Sequence, residues 1–316
     1  MGSSSVLNVH PDPAEGLGDG LRDPSGTPCI RLAPVRGSAV WRYFGDARNS
    51  LMGPQLLVLQ VAHPVVGAGV REHSNFRDDP WGRLLRTLLS LSTVIYGGER
   101  GAALEGERLF ELHKAMGGVD EKGRRYHALN PEAYAWVHAT LVQGALDGHR
   151  VFGAGLPAAE LDGYYQGMRD IGRMLGIPEQ HLPADYPSFR TYYEEKIAAR
   201  LEDNQAVWDV LESMRVPKKP FRLIPGRLWR PAGAGLGRLC YLVTVGTLPP
   251  VLRERLGLTW SKRQQRWLRR FARLVRVLMV FLIPPLRIAG GIVAATWNVR
   301  QLEDARSASA RRDGAH

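Results

Sequence analysis

Apolar residues recur at three- and four-residue spacing along most of this chain, and period-2 alternation is almost absent, so the pattern predicts helices and no sheet. Residues 37–50 read as a short helix closed by a turn at Gly53-Pro54, and Gln55 to Val70 as one long buried helix. Asp78-Asp79-Pro80 supplies the N-terminal signal for a helix from about Trp81 to Tyr96, which Gly97-Gly98 ends. The next covers about Gly101 to Met116 and stops at Gly117-Gly118, and Asn130-Pro131-Glu132 opens another that reaches Phe152. Pro157 opens a helix ending before Gly176, and Ser188 caps one from about Phe189 to Ala206. Segment 216–237 is rich in Pro, Gly and Arg and reads as an irregular crossing, after which helices resume at about Leu239, Pro250 and Ser261. Lengths and turns fit one all-α domain of about ten helices over residues 36–300. An irregular leader rich in Gly, Pro, Asp and Ser precedes it (1–35), and a polar tail follows (301–316), frayed from Arg306 onward.

Composition narrows the class. The two cysteines, Cys29 and Cys240, have no partners at metal-ligand spacing, which argues against a zinc ribbon, an iron–sulfur site and a disulfide-stapled fold. The first residues carry no basic n-region and no apolar h-region, so a reducing cytoplasmic compartment is expected. The net charge is +11, and much of the excess falls late, where Lys262, Arg263, Arg266, Arg269, Arg270 and Arg273 punctuate Trp267, Leu268, Phe271 and Leu274. Residues 261–283 thus form a basic amphipathic helix with two readings. One is contact with an anionic membrane, making the protein peripheral at its inner face; the other is a solvated face on a helix docked to the domain. The apolar runs Val277–Ile283 and Ile288–Trp297 each fall short of the roughly 20 residues a bilayer span needs. No basic–aromatic module of the nucleic-acid type occurs, so nucleic acid is not an expected partner.

Candidate chemistry sits inside the apolar helices. Arg83 and Thr87 are one turn apart among Leu84, Leu85 and Leu88, with Arg86 beside them. Polar groups on such helices are costly to bury without partners. Either Arg83 is a surface arginine and Thr87 bonds back to its own turn, or Arg83 pairs with an anion such as a haem propionate and Thr87 donates nearby. His113 and His138 lie on apolar helices, and either imidazole is a candidate haem ligand or a satisfied core histidine. His63 precedes Pro64, whose missing N–H frees the carbonyl of Gln60. Gln60 and His73 are further candidates to line the same cavity. His-Glu-x-x-His and the glycine-rich phosphate loops are absent, which disfavours a zinc hydrolase and a nucleotide enzyme.

The run Leu59-Gln60-Val61-Ala62-His63-Pro64, then Glu72-His73-Ser74-Asn75-Phe76, then Arg83-Leu84-Leu85-Arg86-Thr87 resembles the bacterial oxygenase family named for MpaB, whose relatives include the rubber oxygenases or latex-clearing proteins. Leu112-His113, Ala128-Leu129-Asn130-Pro131, the stretch Trp136 to Val142, and Leu248-Pro249-Pro250 extend the likeness over about residues 37–290. The resemblance implies a globin-like helical core holding one haem b. His113 falls on the family's proximal ligand, with His138 as the competing ligand, and Arg83, Arg86 and Thr87 fall on its distal Arg-x-x-Lys-Thr motif. Arg86 replaces the family's lysine, and a guanidinium, unlike a lysine amine, does not coordinate iron in practice. It also implies a haem-dependent oxygenase using dioxygen on a small hydrophobic substrate such as an unsaturated lipid or isoprenoid. The other reading is a non-catalytic haem- or lipid-binding bundle at a membrane surface.

Overall fold

A computed structural model describes residues 32–221, 223–282 and 284–313. Most of the leader expected over 1–35 lies outside the described residues. The chain is predominantly helical, with thirteen α-helices among those residues and one small hairpin. In order, α1 is Ala39–Tyr43, α2 Gly53–Val61 after a 3-10 turn at Ala47–Met52, α3 Pro64–His73, α4 Pro80–Tyr96 and α5 Gly98–Lys114. Strands β1 (Gly117–Val119) and β2 (Arg125–His127) come next, then α6 Pro131–Phe152, α7 Ala158–Met174, α8 Tyr186–Ala199 and α9 Gln205–Arg215. The last four are α10 Gly226–Thr247, α11 Pro250–Arg255, α12 Lys262–Phe281 and α13 Pro284–Asp313.

The best-signalled helices start where their caps dictate. Asp79 accepts from the Gly82 amide ahead of Pro80, and Asn130 accepts from the Ala133 amide ahead of Pro131. Both caps satisfy an orphan donor, and proline at the first helical position gives up none. α6 is the spine. It is buried along most of its length and packs against α2, α7, α12 and the Ala47–Met52 turn. Trp136, Phe152, Tyr164 and Met168 are among the largest fully buried side chains.

The expected single helix from Gln55 to Val70 is two helices, α2 and α3, bent by 107° at His63. Pro64 has no N–H, so the carbonyls ending α2 need donors from elsewhere. Gln60 O takes the His63 amide, Leu59 O takes Trp136 Nε1 at 2.9 Å, and Val61 O takes Asn204 Nδ2 at 2.9 Å. Ala62 O takes the Glu202 amide. Gln60 O is thus closed locally and the other three carbonyls by tertiary bonds, and the bend is fixed by α6 and the α8–α9 linker.

Four other elements differ from expectation. The helix expected over Phe189–Ala206 ends at Ala199, residues 200–204 separate it from α9, and α8 is capped by Asp185 rather than Ser188. The crossing expected over 216–237 is helical from Gly226, with Pro231 inside α10, where its missing amide leaves the Arg227 carbonyl without its helical donor. β1 and β2 pair antiparallel around a turn held by Asp120 Oδ1, which accepts from the Lys122 and Arg124 amides. Three-residue strands are too short to show a period. The tail expected to fray stays helical to Asp313. α13 packs along α4, with Ala295 fully buried and Asn298 Nδ2 donating to Thr93 Oγ1 at 2.9 Å. Among the described residues no single helix is long and apolar enough to cross a membrane.

Candidate functional site

Arg83 is half-buried on the first turns of α4, and its Nε donates to Ser74 Oγ at 2.8 Å. Burial, and after it the like charge of Arg86, hold its guanidinium below the usual arginine value. It has no acidic partner among the described residues. Arg86 is exposed and bonds Asn75 Oδ1 at 2.9 Å and Asp79 Oδ2 at 3.3 Å. Thr87 Oγ1 donates to Arg83 O at 3.0 Å, the back-bonded arrangement. Leu84, Leu85 and Leu88 beside them are exposed, as are Phe110 and Leu112 toward the end of α5.

His113 is on that last part of α5, half-buried, with its ring edge-on to Tyr134 at 5.5 Å between centroids. Its Nδ1 lies 2.7 Å from Leu109 O. A carbonyl only accepts, so Nδ1 carries the proton and the lone pair of the neutral ring is on Nε2. Burial lowers its pKa, the Leu109 bond opposes that, and the Arg108 charge adds to it. The ring is therefore neutral near pH 7 with one nitrogen oriented by the backbone and the other available. Burial also pushes the Tyr134 hydroxyl up to about 12.

Two links converge on the C-terminal end of α3. Arg83 reaches it through Ser74, and the hairpin following α5 reaches it through Tyr126, whose hydroxyl donates to Glu72 Oε2 and lies 3.2 Å from His73 Nε2. Gly118 of β1 lies against Glu72 so closely that a Cβ there would clash with the carboxylate. Gln60 Nε2 donates to Thr140 Oγ1 at 2.9 Å, and Thr140 passes its proton to Val137 O at 2.6 Å, tying α2 to α6.

The remaining candidate histidines have surroundings of their own. His138 is buried between α6 and α7 beside the Met168 backbone, and a Cβ on Gly172 would sit 3.1 Å from its Nε2. His63 is buried at the α2–α3 bend near Glu132 and Lys196, with Nδ1 lacking a hydrogen-bond partner. His73 is exposed beside Tyr126. Ser74, Asn75, Tyr126 and Tyr134 were not singled out in the sequence. Ser74 and Asn75 lie within the motif beginning at Glu72, but the two tyrosines gave no signal because their contacts are long-range. A groove of about 580 Å³ runs between α3, the hairpin and α9. Its cations are consumed by acids, Arg71 by Glu121, Arg77 by Asp209, and Arg124 by Asp120 and Glu202, unlike Arg83.

Desolvation brings both His63 and His138 down to about 4. Their unfolded values stay near 6.5, so the unfolded state binds more protons between those limits. Stability from the neutral rings is full above pH ~6.5 and is lost as pH falls toward ~4, by roughly 3 kcal/mol per ring at the lower limit. Urea unfolding at several pH values should show this fall, with a smaller slope in His63→Gln. A stability that stays flat across the window contradicts the burial of these rings.

Residues 41–277 match the family described as "ER-bound oxygenase mpaB/B'/Rubber oxygenase, catalytic domain". Two curated relatives are each 30% identical over 227 residues, covering 70% of this chain and 84% of the relative: the uncharacterized protein Mb2261 of Mycobacterium bovis and the uncharacterized protein Rv2237 of Mycobacterium tuberculosis. No solved structure matches significantly. The matched region runs from α1 almost to the end of α12 and includes Arg83, Arg86, Thr87 and His113, so the chain belongs to the mpaB and rubber oxygenase family as an oxygenase catalytic domain.

Proposed function

We propose that this oxygenase domain is haem-dependent, with a globin-like core holding one haem b on His113, and that it acts with dioxygen on a small hydrophobic substrate such as an unsaturated lipid or isoprenoid. The observation that carries the reading is the tautomer of His113. Its Nδ1–H is held by Leu109 O at 2.7 Å, which leaves Nε2 as a ligand of fixed orientation. The donor set fits. Haem brings four ligands of its own and needs one imidazole from the protein. Among the described residues no three His, Cys, Asp or Glu side chains gather into a metal cage, so a porphyrin suits this site better than a bare ion does. When bound, the haem iron supplies dioxygen activation.

The chain's own residues do the rest. Arg83 offers a half-buried cation without an acid, suited to a propionate or to negative charge developing on oxygen. Arg86 stands where the family has lysine, and a guanidinium does not coordinate iron in practice, so this helix offers no amine ligand. Thr87, Gln60, His63 and His73 support the pocket wall in this reading, and exposed Leu84, Leu88 and Phe110 offer apolar surface to a substrate. His138 is the weaker ligand because α7 covers its ring. The enzyme works in the cytoplasm, peripheral at the inner face of a membrane, where such substrates partition.

Protein expressed with ample haem should carry one iron per chain and a Soret band, and should consume dioxygen with an alkene substrate. Arg83→Leu should keep the band and lower uptake about a hundredfold, the order seen when one preorganised donor is lost. Well-folded protein without stoichiometric iron would end the proposal. Haem without any oxygen uptake would favour the non-catalytic binder.

A further inference from the structure

Between Arg215 and Gln301 the chain holds eighteen Lys and Arg residues and one acid, Glu254, which leaves 24 basic and 30 acidic residues elsewhere. The positive charge of the protein is therefore a property of one quarter of the chain, the quarter that contains α10 to α12 and most of α13. α12 has three faces. Leu268, Ala272 and Val275 are buried against Met52, Phe152 and Val243. A second line is apolar but faces out: Trp267 is 52% exposed, Leu274 55%, Leu278 55% and Phe281 80%. Steps of seven, four and three residues put these four on one stripe. The third face is cationic, with Arg266, Arg269, Arg270 and Arg273, none of them within salt-bridge distance of an acid among the described residues.

A solvated helix has no use for such a stripe, since docking already buries the inner face and isolated exposed apolar residues need not align. A nucleic-acid surface would use the cations and leave the aliphatic line idle. An interfacial helix uses both: apolar side chains enter the acyl boundary while arginines reach the headgroups. The Arg270 guanidinium lies over the Trp267 ring at 5.5 Å, which joins the two faces at the level where tryptophan favours the membrane interface. The apolar line also continues past the end of α12 into Leu286, 56% exposed at the start of α13.

We propose that the outer face of α12, with the exposed Leu286 of α13, forms a docking surface for an anionic lipid bilayer, on which the protein lies without crossing. This deepens the peripheral location given above, but the surface is independent of haem. Full-length, haem-supplied protein should co-sediment with vesicles of phosphatidylcholine containing phosphatidylglycerol, and about tenfold or more weakly with phosphatidylcholine alone. Added salt should weaken the interaction. Replacing Arg266, Arg270 and Arg273 with glutamine should cut partitioning by about a hundredfold, since each juxtamembrane cation contributes about fivefold. Leu274→Ser with Leu278→Ser should also lose binding while keeping the circular dichroism of the parent. The same samples read for Soret absorbance separate this result from the fate of the haem proposal. Equal binding to neutral and anionic vesicles, unchanged binding in either variant, a dimer broken by the serine variants, or RNA displacing the vesicles would each overturn the assignment.

Discussion

His113→Ala, expressed with ample haem, is expected to lose the Soret band of the parent protein, with haem retention weakened by about a hundredfold or more. In the proposed arrangement the imidazole would be the protein's one bond to iron, and its loss should exceed the 10–100-fold typical of losing a mere supporting hydrogen bond. The fold should survive, because His113 is half-buried and its one polar bond goes to its own helix at Leu109. Added free imidazole should restore the band by entering the space beside Tyr134, a rescue that a misfolded variant would not show. His138→Gln makes the contrast. It should keep the band and lower stability, because that ring is packed between α6 and α7 against Gly172. A Soret band unchanged in His113→Ala and lost in His138→Gln would reverse the assignment.

How far the sequence revealed this molecule depended on whether each signal was local. α4 and α6 were readable because their caps, Asp79 before Pro80 and Asn130 before Pro131, act within four residues. The Arg83–Thr87 spacing was equally local, and the back-bond from Thr87 to Arg83 O is a consequence of that spacing. The α2–α3 bend was harder. His63-Pro64 marked it, but the apolar run from Gln55 to Val70 read as one helix, and the donors that stabilise a break come from Trp136, Asn204 and Glu202. Pro284-Pro285 looked like an interruption and instead begins a thirty-residue helix, since proline in a first turn removes only orphan donors. α10 was hidden by its Gly and Pro content, low in propensity yet held in place by packing on α9, α2 and α12. In the site, Arg83, Arg86 and His113 were named from sequence, but nothing local could link Arg83 with Ser74 or His113 with Tyr134.

Trp136 unites the bend and the core, and Trp136→Ala is expected to cost about 3–5 kcal/mol, the range for emptying a buried large aromatic site. Its ring is fully buried and stacks on Tyr193 at 5.3 Å, while Nε1 closes the Leu59 carbonyl left free by the break at Pro64. The two contributions can be separated. Trp136→Phe keeps most of the apolar ring but leaves Leu59 O buried without a donor, which costs about 1–3 kcal/mol. Urea titrations of the parent and both variants should therefore fall in the order parent, phenylalanine, alanine, with the midpoint shifting while the slope stays constant. At about 2–4 °C per kcal/mol for a chain of this size, the alanine variant should melt about 10 °C lower. A phenylalanine variant as stable as the parent would mean that the indole N–H contributes nothing. The bend at His63 would then have to be held by Asn204 and Glu202 alone, and Trp136 would owe its place in the fold to packing, with the Gln60–Thr140 bond left to tie α2 to α6.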